Sequence, residues 1–301
     1  MTNLEALDRD WPLPGRFDFE GQAVRWGALG PAEGSAEALP PLVLLHGTPF
    51  SSWEWHRVAP WLARRRRVYF HDMPGYGRSD MGDGQDVSLA VQGRVFAALL
   101  DHWGLALPAT LPHVVAHDFG GATALRAHLL HGAEYRSLTL IDAVAVRPWG
   151  SPFVQHVRDH EAAFAGMPAY MHAALLPAYV RTAAHREIPG TALAPYLAPW
   201  LTAAGQRAFY RQIAQMDLAY TDEVEPLYPT IRCPVQVVWG EADEWIPIER
   251  GRALAAAIPG ARFLAVPQSG HLMQEDAPEA IVHAVEGFVG EIDPAKAQPQ
   301  P

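Results

Sequence analysis

One segment of the sequence places an aspartate, Asp118, between a predicted strand and a predicted helix. Residues 111–117 are largely apolar, Asp118 follows them, and Gly120 and Gly121 open an alanine-rich stretch. This order predicts a short strand, a sharp turn and a helix. Ala116 and Gly120 stand two residues before and after Asp118, the small-residue spacing that a strained strand-to-helix elbow requires. We therefore predict that the turn exposes Asp118 as a nucleophile; the alternative is that Asp118 caps the helix.

A carboxylate at such a turn has a definite chemistry. It is ionised at neutral pH, so it can attack a saturated carbon without a base and form a covalent ester. Hydrolysis of that ester needs a water molecule activated by a histidine, and backbone N–H groups that stabilise the developing oxyanion. The predicted reaction is therefore hydrolysis through an alkyl ester of Asp118.

The best candidate for the base is His271. The chain has 14 histidines, and most histidines are structural. His271 differs from the others because it follows Gly270 in a loop after a predicted strand, and the acidic start of a helix, Glu275-Asp276, comes next. We predict that His271 activates the hydrolytic water.

Two aspartates could orient this histidine. Asp142 follows the predicted strand at 138–141, and Asp243 lies in a longer loop motif after the strand at 235–239. Either could instead cap a helix or a loop. The longer motif favours Asp243, but the sequence leaves both open.

The elements that position these residues form a repeating pattern. Continuous apolar runs at 42–45, 68–70, 138–141 and 235–239 alternate with helical stretches, which predicts a mostly parallel sheet with helices on both faces. Residues 17–26 predict a hairpin at the start of the sheet. Because functional groups gather beyond the carboxyl ends of parallel strands, we expect the candidates above to share one edge.

The pattern changes between residues 148 and 229. Strand-like runs are absent there, alanines are frequent, and six of the nine tyrosines fall in this stretch. We predict a helical cap over the sheet. The expected organisation is a core of residues 1–147 and 230–292, a cap of residues 148–229 and a disordered tail of residues 293–301.

Four motifs resemble those of the α/β-hydrolase superfamily and occur in its order. They are His46-Gly47-Thr48-Pro49, Asp72-Met73-Pro74-Gly75-Tyr76-Gly77-Arg78-Ser79, His117-Asp118-Phe119-Gly120-Gly121 and Ser269-Gly270-His271. With aspartate at the elbow, the chain is similar to the branch that includes epoxide hydrolases and haloalkane and haloacetate dehalogenases. The resemblance implies an eight-stranded sheet and no metal or other cofactor.

The resemblance also assigns supporting roles. By analogy, the backbone N–H groups of Thr48 and Phe119 would form the oxyanion hole. Tyr210 resembles a ring-opening tyrosine of epoxide hydrolases, and His160 falls where a second donor is expected. A phenol suits this role because its high pKa keeps a proton available for an alkoxide. Tyr210 could equally pack as a core residue.

Residues near the elbow bear on the substrate. Haloalkane dehalogenases typically hold the halide with a tryptophan after the nucleophile, where this chain has Phe119, which has no N–H to donate. Haloacetate dehalogenases use arginines there, and Ala122 and Thr123 cannot replace them. We therefore expect an epoxide hydrolase acting on a small apolar substrate. Dehalogenase activity and a non-catalytic binding protein of the same fold are the alternatives.

Charge and composition indicate which partners and which cellular location to expect. The formal charge of −10 argues against a nucleic-acid partner. The N-terminus has no basic, apolar leader and no run is long enough to span a membrane, so we expect a cytoplasmic protein without membrane contact, as a monomer or homodimer. Cys233, the single cysteine, cannot form an intrachain disulfide.

Overall fold

A single twisted sheet organises the chain. The computed structural model describes residues 10–31 and 39–293. The sheet has eight strands in the order β1-β2-β4-β3-β5-β6-β7-β8. The strands are β1 (Gly15–Phe19), β2 (Gln22–Leu29), β3 (Leu39–Leu45), β4 (Arg66–His71), β5 (His113–His117), β6 (Ser137–Ile141), β7 (Val235–Gly240) and β8 (Arg262–Val266). The β1–β2 and β2–β4 pairs are antiparallel and all others are parallel, which confirms the predicted fold class.

Helices connect the strands. Those of the sheet region are α1 (Ala59–Leu62), α2 (Leu89–His102), α3 (Phe119–His131), α10 (Ile248–Ala257), α11 (Met273–Asp276) and α12 (Pro278–Ile292). Between β6 and β7 lie α4 (Pro152–Asp159), α5 (Glu161–Ala165), α6 (Ala169–Arg181), α7 (Gly190–Leu197), α8 (Ala203–Ala214) and α9 (Ala219–Asp222). Two 3₁₀ helices, Ser52–Arg57 and Glu225–Thr230, complete the set.

The continuous apolar runs form strands whose side chains pack on both faces of the sheet. In β3, Val43 and Leu45 belong to the core that includes α2 and α3, whereas Leu42 and Leu44 belong to the core that includes α12. Successive side chains of a strand point to opposite faces, so a strand covered on both sides must be apolar at every position. The central strands β5, β6 and β7 are buried along their whole length, whereas the edge strands β1 and β8 are partly exposed.

The segment of residues 148–229, called here the helical insertion, contains helices and turns only. It leaves the sheet after β6 and the chain returns at β7, which is the neighbour of β6. In the described part of the chain, no helix combines the length and apolarity needed to cross a bilayer. Most of the predicted disordered tail, residues 294–301, lies outside the described residues, as do residues 32–38.

Candidate active site

The elbow after β5 holds Asp118 in a constrained backbone conformation. Asp118 has φ of 48° and ψ of −116°, a conformation that L-residues rarely adopt and that strained functional turns retain. The close approach depends on glycine: a Cβ on Gly120 would lie 2.7 Å from the carbonyl oxygens of Leu45 and His46. The side chain of Asp118 makes no capping hydrogen bond to α3, so the structure does not support the helix-cap alternative.

One carboxylate oxygen of Asp118 is held by the loop after β3. The Thr48 backbone N–H donates to Asp118 Oδ1 at 2.7 Å. Gly47 permits this approach, because a Cβ there would lie 2.6 Å from Asp118 Cβ. The Phe119 N–H is the first of α3 and has no intrahelical acceptor. Of the two backbone groups expected to form the oxyanion hole, the Thr48 N–H thus binds the Asp118 carboxylate directly.

His271 lies on the other side of the same carboxylate. Its Nε2 is 3.4 Å from Asp118 Oδ2, an ion-pair distance rather than a short hydrogen bond. Its Nδ1 is 2.9 Å from Asp243 Oδ2. The other oxygen of Asp243 accepts from the Trp245 and Ile246 backbone N–H groups at 2.8 and 2.9 Å. Asp243 is thus fixed by its own loop and reaches the imidazole directly.

Asp142 is close by but makes different contacts. It is fully buried at the end of β6 with φ of 42°. Its Oδ1 accepts from the Gly240 N–H at 2.8 Å, and its Oδ2 has no hydrogen-bond partner among the described residues. Burial, and then the negative charge of Asp243, raise the pKa of Asp142 well above its ordinary value. Burial and the neighbouring Asp243 thus both favour the uncharged form of the Asp142 carboxyl.

Charge couples the central pair. Burial alone would lower the pKa of His271, but Asp243 and Asp118 outweigh it and raise that pKa well above its ordinary value. Burial alone would raise the pKa of Asp118, but His271, His117 and the Thr48 N–H outweigh it and lower that pKa. The resting site is therefore an imidazolium between two carboxylates.

A small cavity opens beside Asp118, between the strand ends and the helical insertion. Its volume is about 40 Å³, far below the roughly 300–1,000 Å³ of sites for drug-sized ligands. The residues that line it are Thr48, Asp118, Phe119, Val144, Trp149, Gly150, Ser151, Val154, Tyr179, Met216, Trp245 and Ile246. Most of these side chains are apolar, and Asp118 is the one charged residue among them.

Neither side chain predicted as a donor from the insertion lines this cavity. The Tyr210 hydroxyl is buried and lies 2.9 Å from Nδ1 of His172, while burial raises the pKa of Tyr210 to about 12. Its ring packs 5.6 Å from that of Phe164. Tyr210 therefore occupies the core position that the sequence left open as its alternative.

His160 is exposed at the C-terminal end of α4, where its ring lies 5.3 Å from that of His156. The structure does not support a donor role for His160, because an exposed helix end puts the imidazole in solvent rather than above the nucleophile.

The tyrosine that does line the cavity is Tyr179 on α6. Its ring stacks on Trp245 at 4.8 Å, and Trp245 stacks on His271 at 4.9 Å. Burial, and then the charge of Asp118, raise the pKa of Tyr179 above its ordinary value, so the phenol keeps its proton. The aromatic content of the insertion pointed to a tyrosine, but nothing in the sequence distinguished Tyr179 from the other five.

A second residue that the sequence analysis missed joins the insertion to the oxyanion loop. Gln212 Oε1 on α8 accepts from Thr48 Oγ1 at 2.6 Å and from the Tyr76 hydroxyl at 2.9 Å. Only its position, two residues after Tyr210, could have drawn attention to it. The contact ties the insertion to the loop that holds Asp118.

With this geometry in place, comparisons with known proteins identify the class. The model of the alpha/beta hydrolase family matches residues 42–284. This span is well over half of the chain, so the chain belongs to the alpha/beta hydrolase family and is a hydrolase of that fold.

Three relatives illustrate its neighbourhood. An alpha/beta hydrolase fold protein from Burkholderia ambifaria, known from its crystal structure, is 55% identical, with a TM-score of 0.85 over 91% of this chain and 97% of that chain. The dihydrolipoyllysine-residue acetyltransferase component of the acetoin cleaving system of Pseudomonas putida is 28% identical over 284 residues, 92% of this chain and 70% of that protein. A fluoroacetate dehalogenase from Burkholderia sp is 35% identical over 105 residues, 35% of this chain and 34% of that protein.

Proposed function

We propose that the protein is an epoxide hydrolase in which Asp118 is the nucleophile. The observation that carries the proposal is the Asp118 carboxylate between the Thr48 N–H and His271, in the wall of a cavity that Tyr179 of α6 also lines. A carboxylate below an epoxide and a phenol above it are the two groups that ring opening requires.

The two carboxylate oxygens have different roles in this reaction. Oδ2 faces the site and attacks one epoxide carbon, so that the ring C–O bond breaks and the leaving oxygen takes the Tyr179 proton. Oδ1 remains on the Thr48 N–H and becomes the carbonyl oxygen of the ester. When water attacks the ester carbon, that oxygen carries the developing charge where a donor already lies 2.7 Å away.

Ester formation prepares His271 for the second step. Esterification removes the negative charge of Asp118, which is one cause of the raised pKa of His271. The pKa of the imidazole therefore falls once the ester has formed, and its Nε2 proton passes to the Tyr179 phenolate left by ring opening. The neutral His271 can then accept a proton from water. Asp243 holds Nδ1 throughout, so Nε2 is the nitrogen that faces the reacting centre. Release of the ester gives a vicinal diol.

The indole N–H groups favour an epoxide over an alkyl halide. Trp149 Nε1 donates to Thr221 at 2.9 Å and Trp245 Nε1 donates to Thr182 at 2.9 Å, so both are already engaged. The side chain of Phe119 has no N–H to offer. A halide ion leaving from the site would lack the paired donors that stabilise it.

Dehalogenation is the second candidate. The local similarity to a fluoroacetate dehalogenase supports it. The cavity lining argues against a haloacetate, since it contains no arginine to pair with the substrate carboxylate. A neutral alkyl halide is the form of this candidate that the apolar lining accepts.

The test combines product analysis with trapping of the ester. Purified protein is incubated with styrene oxide, with 1,2-epoxybutane and, separately, with 1-bromobutane, and diol and bromide are measured. In parallel, His271→Gln is mixed with each compound and its intact mass is recorded, with His271→Gln/Asp118→Asn as the matched control.

We expect diol from an epoxide and a mass increase of one substrate in His271→Gln that is absent from the double variant. Bromide release with a butyl adduct and no diol would favour the dehalogenase. If neither compound class gives product or adduct, Asp118 is not a nucleophile toward saturated carbon.

A further inference from the structure

One further buried carboxylate lies next to the site and takes no part in the mechanism above. Glu54, in the 3₁₀ helix after β3, is fully buried. Its Oε1 lies 3.1 Å from Nδ1 of His117, which is also fully buried and immediately precedes the elbow aspartate. A buried carboxylate costs folding free energy unless charge and hydrogen bonds compensate it, so its partners show what it does.

The partners of Glu54 come from three separate segments of the site. The Gly47 N–H lies 3.3 Å from both carboxylate oxygens, and the Gln274 side-chain amide donates to Oε1 at 3.2 Å. Gly47 precedes Thr48, the donor to Asp118. Gln274 follows His271 by three residues. One carboxylate thus binds the oxyanion loop, the elbow strand end and the segment after the base.

His117 extends this connection to the base itself. Its Nε2 lies 2.9 Å from the backbone carbonyl oxygen of His271. A carbonyl oxygen only accepts, so Nε2 must carry a proton. Nδ1 faces Glu54, whose oxygens already accept from the Gly47 N–H and the Gln274 amide. A carboxylate that accepts from these donors also accepts from Nδ1, so the geometry makes both ring nitrogens of His117 hydrogen-bond donors.

We propose that Glu54 is a positioning residue for the ester-hydrolysis step, and that it acts through a doubly protonated His117 to align the His271 loop with the oxyanion loop. This inference rests on the proposed function, because it assigns Glu54 to the second half-reaction. The attack of Asp118 on substrate needs only the elbow and the cavity, whereas hydrolysis needs the Thr48 donor and His271 in register across the ester. A displacement of about 1 Å in such an alignment can cost about 100-fold in rate.

Two variants separate hydrogen bonding from charge. In Glu54→Gln the amide nitrogen can take the place of Oε1 and donate both to Nδ1 of a neutral His117 and to the oxygen of a flipped Gln274 amide, while the remaining oxygen accepts from the Gly47 N–H. Glu54→Leu removes all of these contacts at similar volume. Each is mixed with styrene oxide, and ester formation and ester loss are followed separately by rapid quench and intact mass.

For Glu54→Leu we expect ester formation within about 3-fold of the parent protein and ester hydrolysis slower by about 10–100-fold, so that the ester accumulates. Glu54→Gln should restore hydrolysis to within about 5-fold. A merely structural role would lower Tm without changing the ratio of the two rates. Parent-like ester hydrolysis in folded Glu54→Leu overturns the positioning role.

A measurement that does not depend on activity tests the protonation state. Nitrogen-15 NMR of the histidine-labelled protein, with the His117 signals assigned through a His117→Asn variant, should show protons on both ring nitrogens at neutral pH. Glu54→Gln should shift Nδ1 into the range of an unprotonated acceptor. A parent protein with an unprotonated Nδ1 overturns this part of the proposal. Failure to form an ester with any epoxide would instead count against the proposed reaction, since the NMR result stands without it.

Discussion

The strand ends and the helical insertion place their polar groups in different ways. At the strand ends, Asp118, Asp243 and His271 each follow a strand and meet because the strands are parallel neighbours or lie close in the sheet. In the insertion, Tyr179 and Tyr210 lie on different helices, and one lines the cavity while the other bonds to His172. Strand order therefore determines the first set, and helix packing determines the second.

The largest expected difference is between the two aspartates at the strand ends, Asp243 and Asp142. Asp243→Asn should reduce turnover of an epoxide by about 10⁴-fold, because the imidazole loses the carboxylate that sets its tautomer and stabilises its charge. Asp142→Asn should change turnover by less than about 10-fold, because an amide oxygen still accepts from the Gly240 N–H and the uncharged form of the carboxyl is already favoured. Steady-state kinetics of the two variants measure the difference.

Equal losses in the two variants would mean that Asp142 and Asp243 act as one unit. Both aspartates would then orient His271.

The two tyrosines test the insertion in the same way. Tyr179→Phe should lower the rate of epoxide opening by about 100-fold, because the leaving oxygen loses its proton donor. Tyr210→Phe should leave kcat/KM within about 3-fold and reduce the free energy of unfolding by about 1 kcal/mol, because a buried hydrogen bond to His172 is lost. Single-turnover kinetics and urea unfolding separate the two effects.

A larger kinetic loss in Tyr210→Phe than in Tyr179→Phe would reverse this assignment. It would require the helices of the insertion to move before substrate binds.

Charge coupling at the strand ends predicts a shift in the pKa of His271 rather than a loss of activity. In the resting protein, Asp118 is one of the two carboxylates that raise the pKa of His271. Asp118→Asn keeps the shape and removes that charge, so the pKa of His271 should fall toward its ordinary value while Asp243 still holds it up. Proton NMR titration of the His271 ring follows this change, with Asp83→Asn at an exposed site as the control.

An unchanged pKa in Asp118→Asn would contradict the coupling. Ester formation would then not lower the pKa of His271 and would not turn it into a base.

The smallest effect is expected at His160. His160→Ala should leave both half-reactions unchanged, because the side chain is exposed and does not line the cavity. Rapid-quench rates for ester formation and hydrolysis check this. A loss beyond about 3-fold in either rate would bring α4 back into the mechanism.

Much of the strand-end geometry could be predicted because it depends on local patterns. The small-residue spacing around Asp118 predicts an elbow, and the structure has a positive φ there. Asp142 and Asp243 could not be separated from sequence, since β6 and β7 are neighbours and both carboxylates reach the same region. Only the direction of each side chain separates them: Asp243 Oδ2 points at Nδ1 of His271, while Asp142 is turned toward the Gly240 N–H.

The sequence by itself determined the family, the sheet and the residues at the strand ends, because alternating apolar runs and glycine-bounded turns are local properties of the chain. The tertiary structure alone decided which tyrosine lines the cavity, and that Glu54 joins three separate segments of the site. Those facts depend on how helices pack against a sheet, where a small rotation turns a side chain from the core to the cavity.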